Sequence, residues 1–238
     1  MISIIIPTLN EEKLIGQTLK QFKNLKNKFD FEIIVSDNNS NDKTIEIARN
    51  YSCKLIKNKS SFRNISSNRN FGSKHSAGDI LVFLDADILI KNVDVFFKQI
   101  IKEFNNPKLI ACTPKIFINP KEENNIDKII NRTHTFLSII INKLGIGYAR
   151  GGCQIIRKSS FILVKGYNEK LIAGEDVEIF NRLGKIGEIK ILSKEIVYES
   201  PRRYRKNGYT NVLFTWFINY VYALLFNKSY SSEWKDIR

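Results

Sequence analysis

Apolar residues in the first half of the chain fall in short unbroken runs, and each run is followed by a stretch with helical spacing. Ser3–Ile6 is the first run, closed by Pro7. Leu14, Ile15, Leu19, Phe22 and Leu25 then recur at the steps of one helix face. Phe31–Val35 predicts a second strand, ending at Ser36-Asp37. A helix follows from about Asp42 to Tyr51, then a strand over Lys54–Lys57. A helical stretch over 64–77 leads into a strand over Ile80–Leu84. This rhythm predicts an α/β fold with a mostly parallel sheet and helices on both faces. Such sheets bind ligands beyond the carboxyl ends of their strands. The polar groups to watch are therefore those that follow strands: Thr8-Leu9-Asn10-Glu11, Asp37–Asn41 and Asp85-Ala86-Asp87.

The second half is less regular. Leu109–Ile118 reads as a strand, and Ile126–Leu144 as a largely apolar helix. Gly151-Gly152 opens a strand over Cys153–Arg157, and a helix is expected from Glu175 to about Lys185. A strand-like stretch over 189–198 leads to a basic run at 201–206, which looks flexible, and then to an apolar helix. No internal repeat or low-complexity linker interrupts the chain. The pattern predicts one catalytic domain over 1–206, with a C-terminal apolar helix and tail over 207–238.

The stretch LVFLDADILI (81–90) places Asp85 and Asp87 two positions apart at the end of an apolar strand. Two like charges there cannot pair with each other, and burying them without a partner is costly. A divalent cation with hard oxygen ligands, Mg2+ or Mn2+, resolves the conflict, and Mg2+ takes one or two carboxylates plus substrate phosphates. An Asp-rich turn capping the next helix is the plainer alternative. Glu175 and Asp176 begin a helix, where the dipole favours acidic residues and keeps a carboxylate ionised, as a general base requires.

The segments PTLNEE (7–12), VSDNNSNDKT (35–44), SNRNFGSKHSAGD (67–79) and FLDAD (83–87) occur in this order at strand ends. ARGGCQIIRKSSFILVKGYNEKL (149–171), AGEDVEIFNRLGKIG (173–187) and SPRRYRKNGY (200–209) follow. Together they resemble the family 2 glycosyltransferases, inverting enzymes with the GT-A fold, including those that act on polyprenol- and dolichol-linked substrates. The resemblance runs to about residue 210. It implies a nucleotide-sugar-binding half over 1–110 and an acceptor-binding half over 111–206. It implies that Pro7, Thr8 and Glu11 hold the nucleotide, and that Asp37 hydrogen-bonds the base. Ser36-Asp37-Asn38-Asn39-Ser40 stands where many relatives have Asp-Asp-Gly-Ser, so both uracil and guanine stay open. Arg69 and Asn70 match a pair that faces the nucleotide. Asp85 would meet the ribose or the metal, and Asp87 would ligate the metal. Asp176 is implied as the base that deprotonates an acceptor hydroxyl, with Glu175 orienting the acceptor and Gly151 and Gly152 bordering it. A basic residue near 202–205 would close over the donor phosphates, Arg203 first and Arg202 second.

Charge and composition add a location. The net charge is +14, with 43% hydrophobic and 26% charged residues, an ordinary globular balance with a basic excess. Such an excess suits phosphate-bearing ligands or an anionic membrane surface. Basic residues are scattered without a nucleic-acid motif, so no nucleic-acid partner is expected. Three separated cysteines lack metal-ligand spacing and read as reduced thiols. Met1 leads straight into a strand-like run with no leader pattern. No charge occurs from Asn207 to Asn227, and a spanning helix needs about 20 apolar residues. Asn211, Thr215 and Asn219 recur every four residues, a polar stripe that predicts an interfacial helix with its apolar face down. A spanning helix and a helix packed on the enzyme are the alternatives. The expected setting is the cytoplasmic face of the cell membrane, with a lipid-linked acceptor in glycan or glycolipid assembly. Two other functions compete. A sugar-nucleotide pyrophosphorylase usually has a glycine-rich basic first loop, which PTLNEE is not. A non-catalytic membrane-surface protein has no need of Asp85, Asp87 and Asp176 together.

Overall fold

All seven residues of strand β1 (Ile2–Thr8) are buried, as expected of a strand covered on both faces. The computed structural model describes residues 1–232 apart from Lys26 and Arg63. In it β1 lies parallel between β2 (Phe31–Asp37) and β4 (Ile80–Leu84). Beyond β2 the short β3 (Lys54–Lys57) forms the sheet edge and carries an exposed lysine at each end, a feature that discourages further strand pairing. Helices α1 (Ile15–Lys20), α2 (Thr44–Arg49) and α3 (Ile65–Lys74) connect these strands. The expected mostly parallel sheet is present. The helix expected over 64–77 ends at Lys74, and α2 starts later than expected, at Thr44, where the Asp42 side chain accepts from the Thr44 backbone N–H in the turn that precedes the helix.

Helix α3 is polar yet buried along most of its length. It lies so close to β1 that a Cβ on Gly72 would come 2.4 Å from Cγ2 of Ile5. That approach seats Arg69 over the carboxyl end of the sheet.

In the second half individual strands reverse direction. β7 (Cys153–Arg157) pairs antiparallel with β4 and with β6 (Leu109–Ile118), while β8 (Glu188–Glu199) runs parallel to β6. The sheet order is β3-β2-β1-β4-β7-β6-β8-β5, with the two-residue β5 (Leu89–Ile90) at the far edge. The β4–β7 reversal has a consequence for the site. The carboxyl end of β4 meets the start of β7, so the Asp85 N–H donates 2.8 Å to the Gly152 carbonyl. The loop after β4 and the glycine pair thus become neighbours. The rest of the second half is helical: α4 (Val93–Phe104), α5 (Asn125–Lys143), α6 (Lys158–Leu163), α7 (Glu175–Gly184), α8 (Arg202–Asn207) and α9 (Tyr209–Phe226).

Two C-terminal features differ from expectation. The basic run is not a loose segment: it forms α8, in which Arg205 pairs with Asp127 of α5. The polar stripe of α9 does not face outward along its length. Asn219 is buried, donating to the Thr215 carbonyl and accepting from the Tyr230 and Ser231 backbone N–H groups. Phe214, Phe217, Leu225 and Phe226 are exposed instead. Satisfying a buried amide against the returning chain is what turns the helix this way. Among the described residues no helix is long and apolar enough to cross a membrane.

Candidate active site

A cavity of about 1010 Å3 opens at the carboxyl end of the sheet. Pro7, Thr8, Glu11, Arg69, Asp85, Asp87, Gly151, Gly152, Glu175, Asp176, Arg202 and Arg203 all line it. Residues spread over nearly 200 positions of sequence are therefore brought to one space. Two of the expected residues lie elsewhere. Asp37 is fully buried below the rim, where it accepts from Thr8 Oγ1 at 3.2 Å and from the Ser40 N–H at 3.0 Å. Asn70 faces away, donating to the Tyr167 carbonyl and to Glu169, so it holds α3 in place and does not meet the cavity.

At the end of the cavity formed by the Asp-x-Asp turn, Asp85 accepts from Arg69 Nη2 at 2.8 Å and from the Gly152 N–H at 3.2 Å. Asp87 lies 3.4 Å from Arg202 Nη2. Burial pushes the Asp87 carboxyl up to about 7; Arg202 opposes this, while the charges of Asp85, Glu199 and Glu11 add to it. A carboxylate crowded by other carboxylates is one that a cation would relieve. Hard oxygen donors on Asp87 and Asp85, with open cavity before them, fit Mg2+ or Mn2+ completed by substrate oxygens. Among the described residues no group of three or more His, Cys, Asp or Glu could hold a metal without such help. The Asn38 side chain also reaches the cavity, and its buried Oδ1 has no hydrogen-bond partner.

At the other end, Gly174 takes a left-handed conformation (φ 83°) and starts α7, placing Glu175 and Asp176 in its first turn. Arg69 Nη1 donates to Glu175 at 3.1 Å, so one guanidinium joins Asp85 to Glu175. The helix terminus was expected to keep Asp176 readily ionised. Burial outweighs it: the Asp176 carboxyl is raised, with Arg69 and the Val177 N–H only partly opposing. Glu175 is raised as well, by burial and by the charge of Asp176. A base lifted toward neutrality takes a proton more readily than one held low. A Cβ on Gly151 would lie 3.1 Å from Asp176 Oδ2, so the glycine makes room for that carboxylate.

Several lining residues were not anticipated as site residues. Arg150 forms an ion pair with Glu199, donates 2.8 Å to Asn131 and lies over the Trp216 ring. Tyr148 Oη is 2.7 Å from Nε2 of His134 on α5. Burial and the charge of Arg150 press the His134 pKa down to about 3, so the ring is neutral. Tyr148, Trp216 and Tyr220 give the Asp176 end of the cavity an aromatic wall. Arg150 was visible as a charge inside the ARGG run, and Glu199 as one at a strand end. Their partners lie too far along the chain to be read.

The family model for glycosyl transferase family 2 matches residues 3–163, more than half of the chain. The chain belongs to glycosyl transferase family 2. Among its relatives in this family is a 4,4'-diaponeurosporenoate glycosyltransferase of Staphylococcus haemolyticus, 30% identical over 197 residues, which cover 77% of this chain and 50% of that one. A dolichol-phosphate mannosyltransferase of Pyrococcus furiosus is 29% identical over 126 residues, covering 52% and 35%. This family 2 chain spans about half the length of the first relative or less of the second. A mannosyltransferase from Pyrobaculum calidifontis, solved in complex with GDP-Man and Mn2+, superposes with a TM-score of 0.71 at 18% identity, covering 92% of this chain and 61% of that one. That likeness is one of fold, and the fold of this family 2 member is GT-A.

Proposed function

We propose that this family 2 glycosyltransferase moves a sugar from a UDP- or GDP-sugar to an acceptor hydroxyl or phosphate, with inversion at the anomeric carbon. The observation that carries the reading is that Asp85, Asp87 and Asp176 line one cavity. Asp176 takes the proton from the acceptor hydroxyl, while Glu175, fixed by Arg69, orients that acceptor. The acceptor oxygen attacks the anomeric carbon from the face opposite the nucleotide. The bond from that carbon to the phosphate oxygen breaks, and the nucleoside diphosphate leaves with the electron pair. A single displacement of this kind inverts configuration. Mg2+ or Mn2+, held by Asp87 and Asp85, would supply charge neutralisation for the leaving diphosphate. The Arg202 and Arg203 guanidiniums are placed to meet its oxygens. The unpaired Asn38 Oδ1 suits an N–H of the base, which both uracil and guanine carry.

The acceptor is proposed to be lipid-borne, presented at the cytoplasmic face of the membrane. Support comes from the apolar faces that α5 and α9 expose beside the cavity and from the dolichol phosphate named for one relative. A panel of UDP- and GDP-sugars with Mg2+ or Mn2+, with and without polyprenyl phosphates, tests the reading through nucleotide release. Release from at least one donor is expected, with the product anomer inverted by NMR. Release from none would overturn it. Asp176→Asn is expected to keep nucleotide affinity and to lose transfer by about a hundredfold or more; normal transfer by that variant would remove Asp176 from its role.

A further inference from the structure

Each carboxylate at the donor end of the cavity is matched to an arginine. Asp85 has Arg69, and Glu199 has Arg150. Both of these arginines are locked. The Arg69 side chain is 1% exposed and holds Glu175 with its other terminal nitrogen. Arg150 is similarly enclosed and also donates to Asn131 and to the Ile116 carbonyl.

Glu11 and Asp87 share the third arginine. Arg202 Nη1 and Nη2 lie 3.3 and 3.2 Å from the two Glu11 oxygens, and Nη2 is 3.4 Å from Asp87 Oδ2. The Arg202 side chain is 29% exposed and sits on the six-residue helix α8. Glu11 is itself anchored, since its backbone N–H donates 2.7 Å to Thr44 Oγ1. The guanidinium therefore stands between the first loop and the Asp-x-Asp turn, on the carboxylate that a metal would use.

We propose that Arg202 is the resident counter-cation of the donor site, withholding Asp87 from free metal and yielding it to metal that arrives with a nucleoside diphosphate. The inference rests on the donor-site reading above. A free dication must displace Arg202 from Asp87 and then sits beside the guanidinium, a like-charge neighbour at close range. A metal–diphosphate complex carries its own anion. The guanidinium then exchanges carboxylate oxygens for phosphate oxygens, which match its planar fork equally well. Arg202 makes the site selective for the complex over the bare ion, and metal and nucleotide reinforce each other's binding. By linkage that reinforcement is the same factor whichever ligand is added first. Glu11 acts as a positioning residue, holding the guanidinium over Asp87 while no donor is bound.

The test is a set of calorimetric titrations of the full chain with Mn2+ alone, and with Mn2+ at saturating UDP or GDP. In the wild type, nucleotide is expected to tighten Mn2+ binding by about tenfold or more. In Arg202→Gln, Mn2+ alone should bind about fivefold tighter than in the wild type, and the reinforcement by nucleotide should shrink by about the same factor. Arg202→Lys keeps the charge without the fork and should fall between the two. If Arg202→Gln binds bare Mn2+ no tighter and its coupling is unchanged, the inference is overturned while the donor-site reading stands. If the wild type binds bare Mn2+ as tightly as it does with nucleotide, the inference is overturned without recourse to any variant. Failure of the wild type to bind either nucleotide would remove the donor-site reading, and this inference with it.

Discussion

Arg69 donates 2.8 Å to Asp85 and 3.1 Å to Glu175, so one buried cation touches both the Asp-x-Asp turn and the residue beside Asp176, the proposed base. The Glu175 side chain is 11% exposed and that of Asp85 27%, so the loss of that cation falls most heavily on Glu175. Arg69→Met should therefore cost about 3–5 kcal/mol of stability, as breaking a buried pair from one side does. Arg69→Lys should recover less than half of it, because an ammonium cannot span two carboxylates as a fork does. Urea denaturation measures both, and a loss under about 1 kcal/mol for Arg69→Met would show that Asp85 and Glu175 do not depend on it. Gly151 makes a contrasting case. Its added Cβ would sit 3.1 Å from Asp176 Oδ2, close enough to displace the carboxylate without disturbing the core. Gly151→Ala is expected to lower kcat roughly tenfold while the thermal midpoint barely moves, since small misplacements at a reacting group are expensive in rate. Sequence could suggest Arg69 and Gly151 from their motifs. It could not show that Arg69 is a tie between two carboxylates, because its partners lie 16 and 106 positions away.

Whole elements were legible where burial imposes a simple pattern. β1, β2, β4, β6 and β7 are apolar runs, and they occur where such runs predict strands. Legibility failed where a long-range contact decides the outcome. The basic run 201–206 reads as flexible, yet it is helical because Arg205 finds Asp127 on α5 and Tyr204 is buried between elements. The stripe on α9 reads as a solvent face, yet Asn219 turns inward because residues 230 and 231 return to satisfy it. Helix α5 has a comparable hidden dependence. His134 packs on Tyr148, near Ser138 of its own helix and Arg150 behind it, and its pKa is pressed to about 3. The folded state therefore needs the neutral ring, whereas the unfolded chain protonates near 6.5. That stabilisation is complete above pH 6.5 and is lost as the pH falls toward 3. It amounts to an order of 3 kcal/mol between pH 7 and pH 4. Chemical denaturation across that range should show the acid loss reduced by a similar amount in His134→Gln. Parallel pH profiles for variant and wild type would mean that His134 protonates without cost.

On the scale of the molecule, α5 and α9 both line the cavity and also turn apolar side chains outward. Ile126, Ile129, Phe136 and Leu144 of the α5 region and Phe214, Phe217, Leu225 and Phe226 of α9 are all more than half exposed. Exposed apolar residues gathered beside a cavity mark a place of contact. The chain's net charge of +14 favours an anionic surface as the partner. This is the proposed membrane contact, and α9 would make it without spanning. Deleting α9 would be a poor test. A Cβ on Gly174 would lie 2.9 Å from the Asn219 carbonyl, so α9 backs the start of the helix that carries Asp176. Point changes on the outward face separate the two roles. Phe214→Ser combined with Leu225→Ser and Phe226→Ser should weaken co-sedimentation with vesicles containing anionic lipid by at least about tenfold, since each large apolar side chain withdrawn from water contributes about 1.5–3 kcal/mol when fully buried. Raising the salt should weaken wild-type binding further, as screening shortens the reach of the basic surface. Transfer to a short water-soluble acceptor should be unaffected, because none of these three side chains lines the cavity. If the triple variant sediments with vesicles as well as the wild type does, these faces are not what holds the enzyme to a membrane.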